Sequence, residues 1–309
     1  MSVSPPNSAR GLDPELVTRI ATLRLRAQRA VEGLRSGIHK SPHRGASVIF
    51  AEHREYRPGD DLRLLDWRAY ARSDRYTIKH FEQETHLRAQ LLLDVSPSMG
   101  YDGGRSDTSK YEHAATLLAA IAFILLGQGD AAGALCFDNS VRGTVPARAR
   151  PGQLDAILDL FAGAAPSAAP SAPTDLAAAL IACTEHVGRR GLIVIASDLL
   201  DLREPALDPL TRMRALGHEV IVLHVLHPDE LDFPFDERMR FVDPESTETL
   251  DTDPEAVRDA YTAELQTFLV GCRRRCAAAG AHYVLARTDA KAQETVADAV
   301  RGRARAAWV

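Results

Sequence analysis

Lysine is scarce in this chain. Of its 37 basic residues only four are lysines, at positions 40, 79, 110 and 291, so the positive surface is almost all guanidinium. That chemistry suits bidentate contacts to carboxylate or phosphate, although a codon bias toward arginine gives the same composition. Cysteine is scarce too. Cys136, Cys183, Cys272 and Cys276 are irregularly spaced, which fits a reducing cytosol better than a disulfide framework, so a cytoplasmic location is expected. Cys272 and Cys276 lie four apart on a helical pattern, but no second ligand pair stands near them to complete a zinc site. The longest apolar run, LLAAIAFILLG from Leu117, falls short of the roughly 20 residues that cross a bilayer and reads as a buried helix, so no membrane span is expected. The opening MSVSPPNSAR lacks the charged start and apolar centre of a secretory signal, and residues 1–12 read as a disordered tail. Walker A, G-x-S-x-G and H-E-x-x-H patterns are all missing.

What is present is a chain of 309 residues, 45% hydrophobic, enough to bury a full core. Its net charge of −5 hides an asymmetry. Residues 1–88 carry 16 Lys+Arg against 11 Asp+Glu, and the remainder carries 21 against 31.

Residues 13–88 read as a helix followed by a small β module. Asp13 is placed to cap the helix, Pro14 sits at its first position, and apolar residues recur at Leu16, Ile20, Leu23, Ala27, Ala30 and Leu34. Short β-like pieces, SVIF and RYTIKHF, flank a Pro58-Gly59-Asp60 turn. From residue 89 to 309 the rhythm changes to Val/Ile/Leu strand runs separated by helical patterns. Strands are expected at LLLDV, GALCF, LIVIAS, EVIVLHVL and HYVLA, and helices over about 109–127, 152–162, 175–187, 206–216, 254–279 and 290–301. Apolar strands alternating with helices predict an α/β fold, a doubly wound, mostly parallel sheet covered on both faces. The segment 229–255 breaks the pattern. It holds 11 acidic and two basic residues with prolines at 234, 244 and 254, and reads as an exposed excursion with a short strand at RMRFV.

In a doubly wound sheet, ligands collect where the strands end. LLLDVSPSMG ends its strand in Asp94 and carries Ser96 and Ser98 into the following loop; LIVIASDLLD ends in Asp198; Thr174 opens the helix before that strand. All five oxygens are therefore expected at one edge. Hydroxyls and carboxylates without His or Cys select a hard cation, Mg2+ or Mn2+, over zinc. Neutral serine ligands would leave that cation with surplus charge for an outside carboxylate. Under the metal-site reading, replacing Asp198 or Thr174 is expected to weaken binding of that outside carboxylate while leaving stability nearly intact; the plainer reading makes the serines helix caps and Asp94 an ordinary strand end.

The D-x-S-x-S of Asp94, Ser96 and Ser98, with Thr174 and Asp198, resembles the metal-ion-dependent adhesion site of von Willebrand factor A domains. The resemblance implies direct ligation by Ser96 and Ser98, with Thr174, Asp198 and Asp94 direct or through water. Upstream, YRPGDDLRLLDWRAYARSDRYTIKHFEQE running into such a domain resembles the prokaryotic family called domain of unknown function 58. Its members often accompany MoxR-type AAA+ ATPases. The implied function is a non-catalytic, metal-dependent protein-interaction module, an adaptor or cochaperone whose partner is such an ATPase or another protein presenting an acidic residue to the metal. A Mg2+-dependent phosphotransfer hydrolase is the enzyme alternative, weakened because those enzymes place a second carboxylate where Ser96 stands. Arg57, Arg63 and Arg68 either pair with neighbouring aspartates or bind an acidic partner. A nucleic-acid adaptor role through that run is disfavoured by its modest positive balance and the absence of interleaved aromatics.

Overall fold

The computed structural model describes residues 14–38, 53–55, 77–79, 87–104, 108–166, 174–187, 190–200, 208–246 and 248–306. They divide into two compact units, Met1–Ser41 with Leu87–Val309, and Pro42–His86. The smaller unit is described by two short strands, β1 (His53–Glu55) and β2 (Thr77–Lys79), paired antiparallel with Arg54 opposite Ile78. Asp13, Arg57, Arg63 and Arg68 lie outside the described residues.

The larger unit opens with α1 (Pro14–Ile38) and continues through β3 (Arg88–Asp94), a 3-10 turn at Pro97–Gly100 and α2 (Lys110–Gly127). Next come β4 (Ala131–Phe137), β5 (Val141–Arg148), α3 (Gln153–Gly163) and α4 (Leu176–Val187). They are followed by β6 (Leu192–Ser197), α5 (Asp208–Ala215), β7 (Glu219–Leu226) and α6 (Pro228–Asp232). The chain then makes the hairpin β8 (Met239–Val242) and β9 (Thr249–Thr252), and closes with α7 (Pro254–Ala278), β10 (His282–Arg287) and α8 (Ala292–Ala306). The sheet order is β10-β7-β6-β3-β4-β5, parallel except for β5, which returns antiparallel to β4.

Alternation along β3 shows why both faces are covered. Leu91 and Leu93 pack into the core shared with α1, α2, α3 and α8, while Leu92 points the other way among residues of α4, α5 and α7. A strand buried on both faces has no polar side to display, hence its unbroken leucine run. α2 passes between the sheet and α1. By length and hydropathy it would reach across a membrane, the one such helix among the described residues, yet 67% of it is buried inside the fold.

Two features differ from the sequence-based expectation. The helix grouped there with the 13–88 module instead belongs to the α/β unit, because its buried stripe of Leu23, Ala27, Ala30 and Val31 lies against α2, α3 and α8. β5 is also new. Its VRGTVPAR sequence carries a glycine and a proline and alternates toward solvent, as an edge strand permits and a central one does not. The acidic excursion is partly ordered: α6 and the β8–β9 hairpin fall within it, β8 coinciding with the expected RMRFV strand.

Candidate functional site

The chain leaves β3 on one side of the sheet to build β4, then returns to build β6 on the other. The crevice at such a reversal, at the carboxyl ends of the strands, is where α/β folds place ligands. Asp94 and Asp198 stand there. Leu93 pairs with Ala196 across β3 and β6, which brings Asp94 beside Ser197, and the Ser197 hydroxyl donates to Asp94 Oδ2 at 2.6 Å. Asp94 Oδ1 accepts the backbone N–H of Ser96 at 2.9 Å, closing a tight turn that sets the two serine hydroxyls 3.1 Å apart. Ser98 also helps to hold the Asp198 carboxylate below its usual range. Three of the five expected residues, Asp94, Ser96 and Ser98, are thus linked in one buried network, with Asp198 beside them. Thr174 stands on the same edge, one residue before Asp175, whose N–H donates to the carbonyl of Asp138 just past β4.

The network holds more charge than the sequence suggested. Lys110, at the first position of α2, is 1% exposed, and its ammonium donates to Asp198 Oδ2 at 2.8 Å and to Glu230 Oε1 at 2.6 Å. Burial alone would push that lysine down, but Asp198 and then Glu230 outweigh it and hold the ammonium above its usual range. Burial likewise works against the Asp198 carboxylate, yet Lys110 holds it below the usual range. Among the described residues Asp94 has no such cation. Burial, reinforced by the charge of Asp198, pushes it up to about 7 despite the bonds from Ser197 and Ser96.

Neighbouring elements fix these positions. The carbonyl of Asp198 lies 2.7 Å from His224 Nε2, and since a carbonyl can only accept, Nε2 carries the proton and Nδ1 accepts from the Tyr283 hydroxyl at 2.8 Å. Burial lowers His224 to about 4, so the ring is neutral at pH 7. Leu199, directly after Asp198, holds a left-handed backbone with φ of 58° although it carries a side chain. Strain of that kind persists where the surrounding contacts over-determine the chain. Glu230 is placed by α6: its other oxygen accepts the His227 N–H at 2.7 Å, and the Tyr261 hydroxyl donates to its carbonyl at 2.8 Å.

A further carboxylate comes from the tip of the β8–β9 hairpin. Glu245 Oε1 accepts the backbone N–H of Ser98 at 2.9 Å, bridging 147 positions of sequence. The tip is built by Asp243, whose carboxylate accepts from Glu245 N at 2.9 Å and from Ser246 Oγ at 2.6 Å.

Among the described residues no group of three or more His, Cys, Asp or Glu side chains is arranged to hold a metal ion. The donor set that fits a hard cation mixes hydroxyl and carboxylate instead: Ser96 and Ser98 face one another, and Asp94 beside them lacks a positive partner among the described residues. Asp198 fits less freely, because Lys110 already holds one of its oxygens and Leu200 N–H donates to the other at 3.3 Å.

Lys110, Ser197, Glu230 and Glu245 were missed in the sequence. Lys110 had a signal, as a rare lysine heading the most apolar helix. Glu230 directly follows the β7 strand run in HPDE, an edge position like that of Asp198. Glu245 had none, since nothing local says where a hairpin tip will rest.

The family model described as "Protein of unknown function DUF58" matches residues 52–267. Uncharacterized protein Rv1480 of Mycobacterium tuberculosis and Uncharacterized protein Mb1516 of Mycobacterium bovis are each 31% identical over 308 residues, spanning 97% of this chain and 93% of their own. Among solved structures, a conserved hypothetical protein BatB from Bacteroides thetaiotaomicron is similar at 17% identity and a TM-score of 0.45, over 72% of this chain and all of that one. An aerotolerance-related membrane protein from Bacteroides fragilis is similar at 19% identity and a TM-score of 0.42, over 70% of this chain and 98% of that one. On the extent of the family match and of the mycobacterial alignments, the chain belongs to the family described as protein of unknown function DUF58.

Proposed function

We propose that the protein is a non-catalytic, metal-dependent interaction module that takes an acidic residue of a partner protein at the β3–β6 edge. The observation that carries this is the buried pair of facing serine hydroxyls, Ser96 and Ser98, beside Asp94, an aspartate without a positive partner among the described residues. Ser96, Ser98 and Asp94 would hold Mg2+ or Mn2+, with Thr174 at the same edge and Asp198 shared with Lys110. The cation, when bound, supplies positive charge that neutral hydroxyl ligands leave unsatisfied and that a carboxylate can use. Glu245 supports the same chemistry, because a carboxylate already rests on the Ser98 amide.

A phosphotransfer hydrolase draws less support from this geometry. Its nucleophile would be Asp94, which is 1% exposed and has both oxygens engaged by Ser96 and Ser197. The partner class follows from the resemblance to proteins that accompany MoxR-type AAA+ ATPases, and a cytoplasmic location goes with it. The test is binding of a purified MoxR-type ATPase from the same source in Mg2+ and in EDTA. Binding lost in EDTA and in Thr174→Ala supports the reading; binding indifferent to both rejects it.

A further inference from the structure

The hairpin β8–β9 is a peripheral element with two anchors. Val242 and Leu250 are 58% and 60% exposed, and the Arg240–Asp251 ion pair is on the surface. Inward, Phe241 stacks on Phe233 at 5.8 Å and meets Phe235 edge-on at 5.4 Å, and Phe233 lies 4.5 Å from Tyr261. At the tip, Glu245 reaches the Ser98 amide. Beside both anchors is a cavity of about 380 Å3 whose lining includes Phe233, Phe235, Phe241 and Tyr261 together with Ser98 and Glu245. The hairpin thus presents an aromatic ring and, four residues later, a carboxylate to a site that accepts each.

We propose that the β8–β9 hairpin is a resident ligand of the site: Glu245 occupies the seat used by a partner's acidic residue, and the adjoining cavity takes the large apolar side chain that neighbours that acid in the partner. The inference rests on the carboxylate-binding reading above and adds two things to it. It specifies the partner segment as an acid with an aromatic or large aliphatic residue close by. It also makes the free protein self-occupied, so that a partner must displace the hairpin tip. Competition of this kind lowers apparent affinity by the fraction of molecules in which the seat is open. Displacement costs little beyond the anchors themselves, because the hairpin is two strands of four residues, too little to be stable without them.

The hairpin supplies its own probe, a labelled peptide of residues 241–248, FVDPESTE. Its binding is measured by fluorescence anisotropy to the full chain and to the Glu245→Ala variant, alongside amide hydrogen exchange of Met239–Val242 and Thr249–Thr252. The expected result is binding roughly tenfold or more tighter to Glu245→Ala than to wild type, with hairpin amides exchanging faster in the variant and β3 amides unchanged. A peptide with alanine in place of its first glutamate should not bind. Equal affinity for both proteins, unchanged hairpin exchange, or no binding to either at millimolar peptide would each overturn the proposal. Repeating the titration in EDTA separates the two readings. If the Glu245→Ala advantage persists while Mg2+ has no effect, the cation is removed and the hairpin stands; if Mg2+ matters but the variant behaves as wild type, the hairpin is removed and the cation stands.

Discussion

Lys110 Nζ lies 2.8 Å from Asp198 Oδ2, and both side chains are almost wholly buried. The lysine occupies the first position of α2, directly after the capping Ser109, where the helix presents its unsatisfied N–H groups and positive end. A cation is disfavoured at that end and further disfavoured by burial. Asp198 and Glu230 offset both penalties, so the ion pair is a condition of placing α2 where it is. It also means that the loop after β6 and the turn after β7 are tied to the start of α2 through one ammonium.

Lys110→Met is therefore expected to destabilise the fold strongly, by about 3–5 kcal/mol, because it leaves Asp198 buried without its cation. Urea denaturation measures this directly. Glu230→Gln should cost less, since the Glu230 side chain is 21% exposed and can recover water. A Lys110→Met midpoint equal to wild type would show that the pair contributes nothing. The same contact revises the sequence-based view of Asp198 as a freely removable ligand: Asp198→Ala strands the Lys110 charge and should lower stability.

The serines are the cleaner test of metal binding. In the Ser96→Ala/Ser98→Ala double variant, binding of Mn2+ followed by electron paramagnetic resonance should disappear, with circular dichroism unchanged. Each hydroxyl is small and sits at or within the 3-10 turn after β3, so its loss leaves only a slight void, costing at most about 1–2 kcal/mol where a hydrogen bond is lost. Metal binding that survives in the double variant would clear these serines of any role in it.

His113, on α2, is 5% exposed and its Nε2 has no hydrogen-bond partner among the described residues. Burial lowers it to about 4 from an ordinary 6.5, so the unfolded chain binds this proton more readily than the folded one. Its contribution is full above pH 6.5 and is lost as pH falls toward 4. At pH 5 the loss should be about 2 kcal/mol relative to pH 7. Denaturation of wild type and His113→Leu at both values should show the variant losing less on acidification. Identical losses would place the acid sensitivity elsewhere.

The sheet was legible because fully buried parallel strands are written as runs such as LLLD, LIVIAS and EVIVLHVL, and the helices because their apolar stripes face those strands. β5 escaped because an edge strand tolerates Gly143 and Pro146, which read as breakers. The hydroxyl and carboxylate members of the site were legible because they end strands, and position along a strand survives in sequence. Lys110, Glu230 and Glu245 enter through tertiary folding from a helix start, a short capped turn and a hairpin tip. Their approach depends on how separate elements pack, which no local pattern records.

The placement of α1 gives a last test. Leu23, Ala27, Ala30 and Val31 are buried against α2, and Arg26 pairs with Glu112 at 2.9 Å across the same interface. Without α1 the outer side of α2, the most apolar helix of the fold, would face water. Burial of four such side chains is worth several kcal/mol at about 25 cal/mol per Å2, comparable to the whole stability of a domain. A chain beginning at Leu87 is therefore expected to be insoluble or to unfold without cooperativity. A chain that keeps residues 1–41 and replaces 42–86 with a flexible Gly/Ser linker should fold cooperatively, because the α/β unit then retains its cover. Thermal unfolding and size-exclusion chromatography of the two chains decide the matter. A soluble, cooperatively unfolding chain from Leu87 would show that α1 is dispensable to the core it covers.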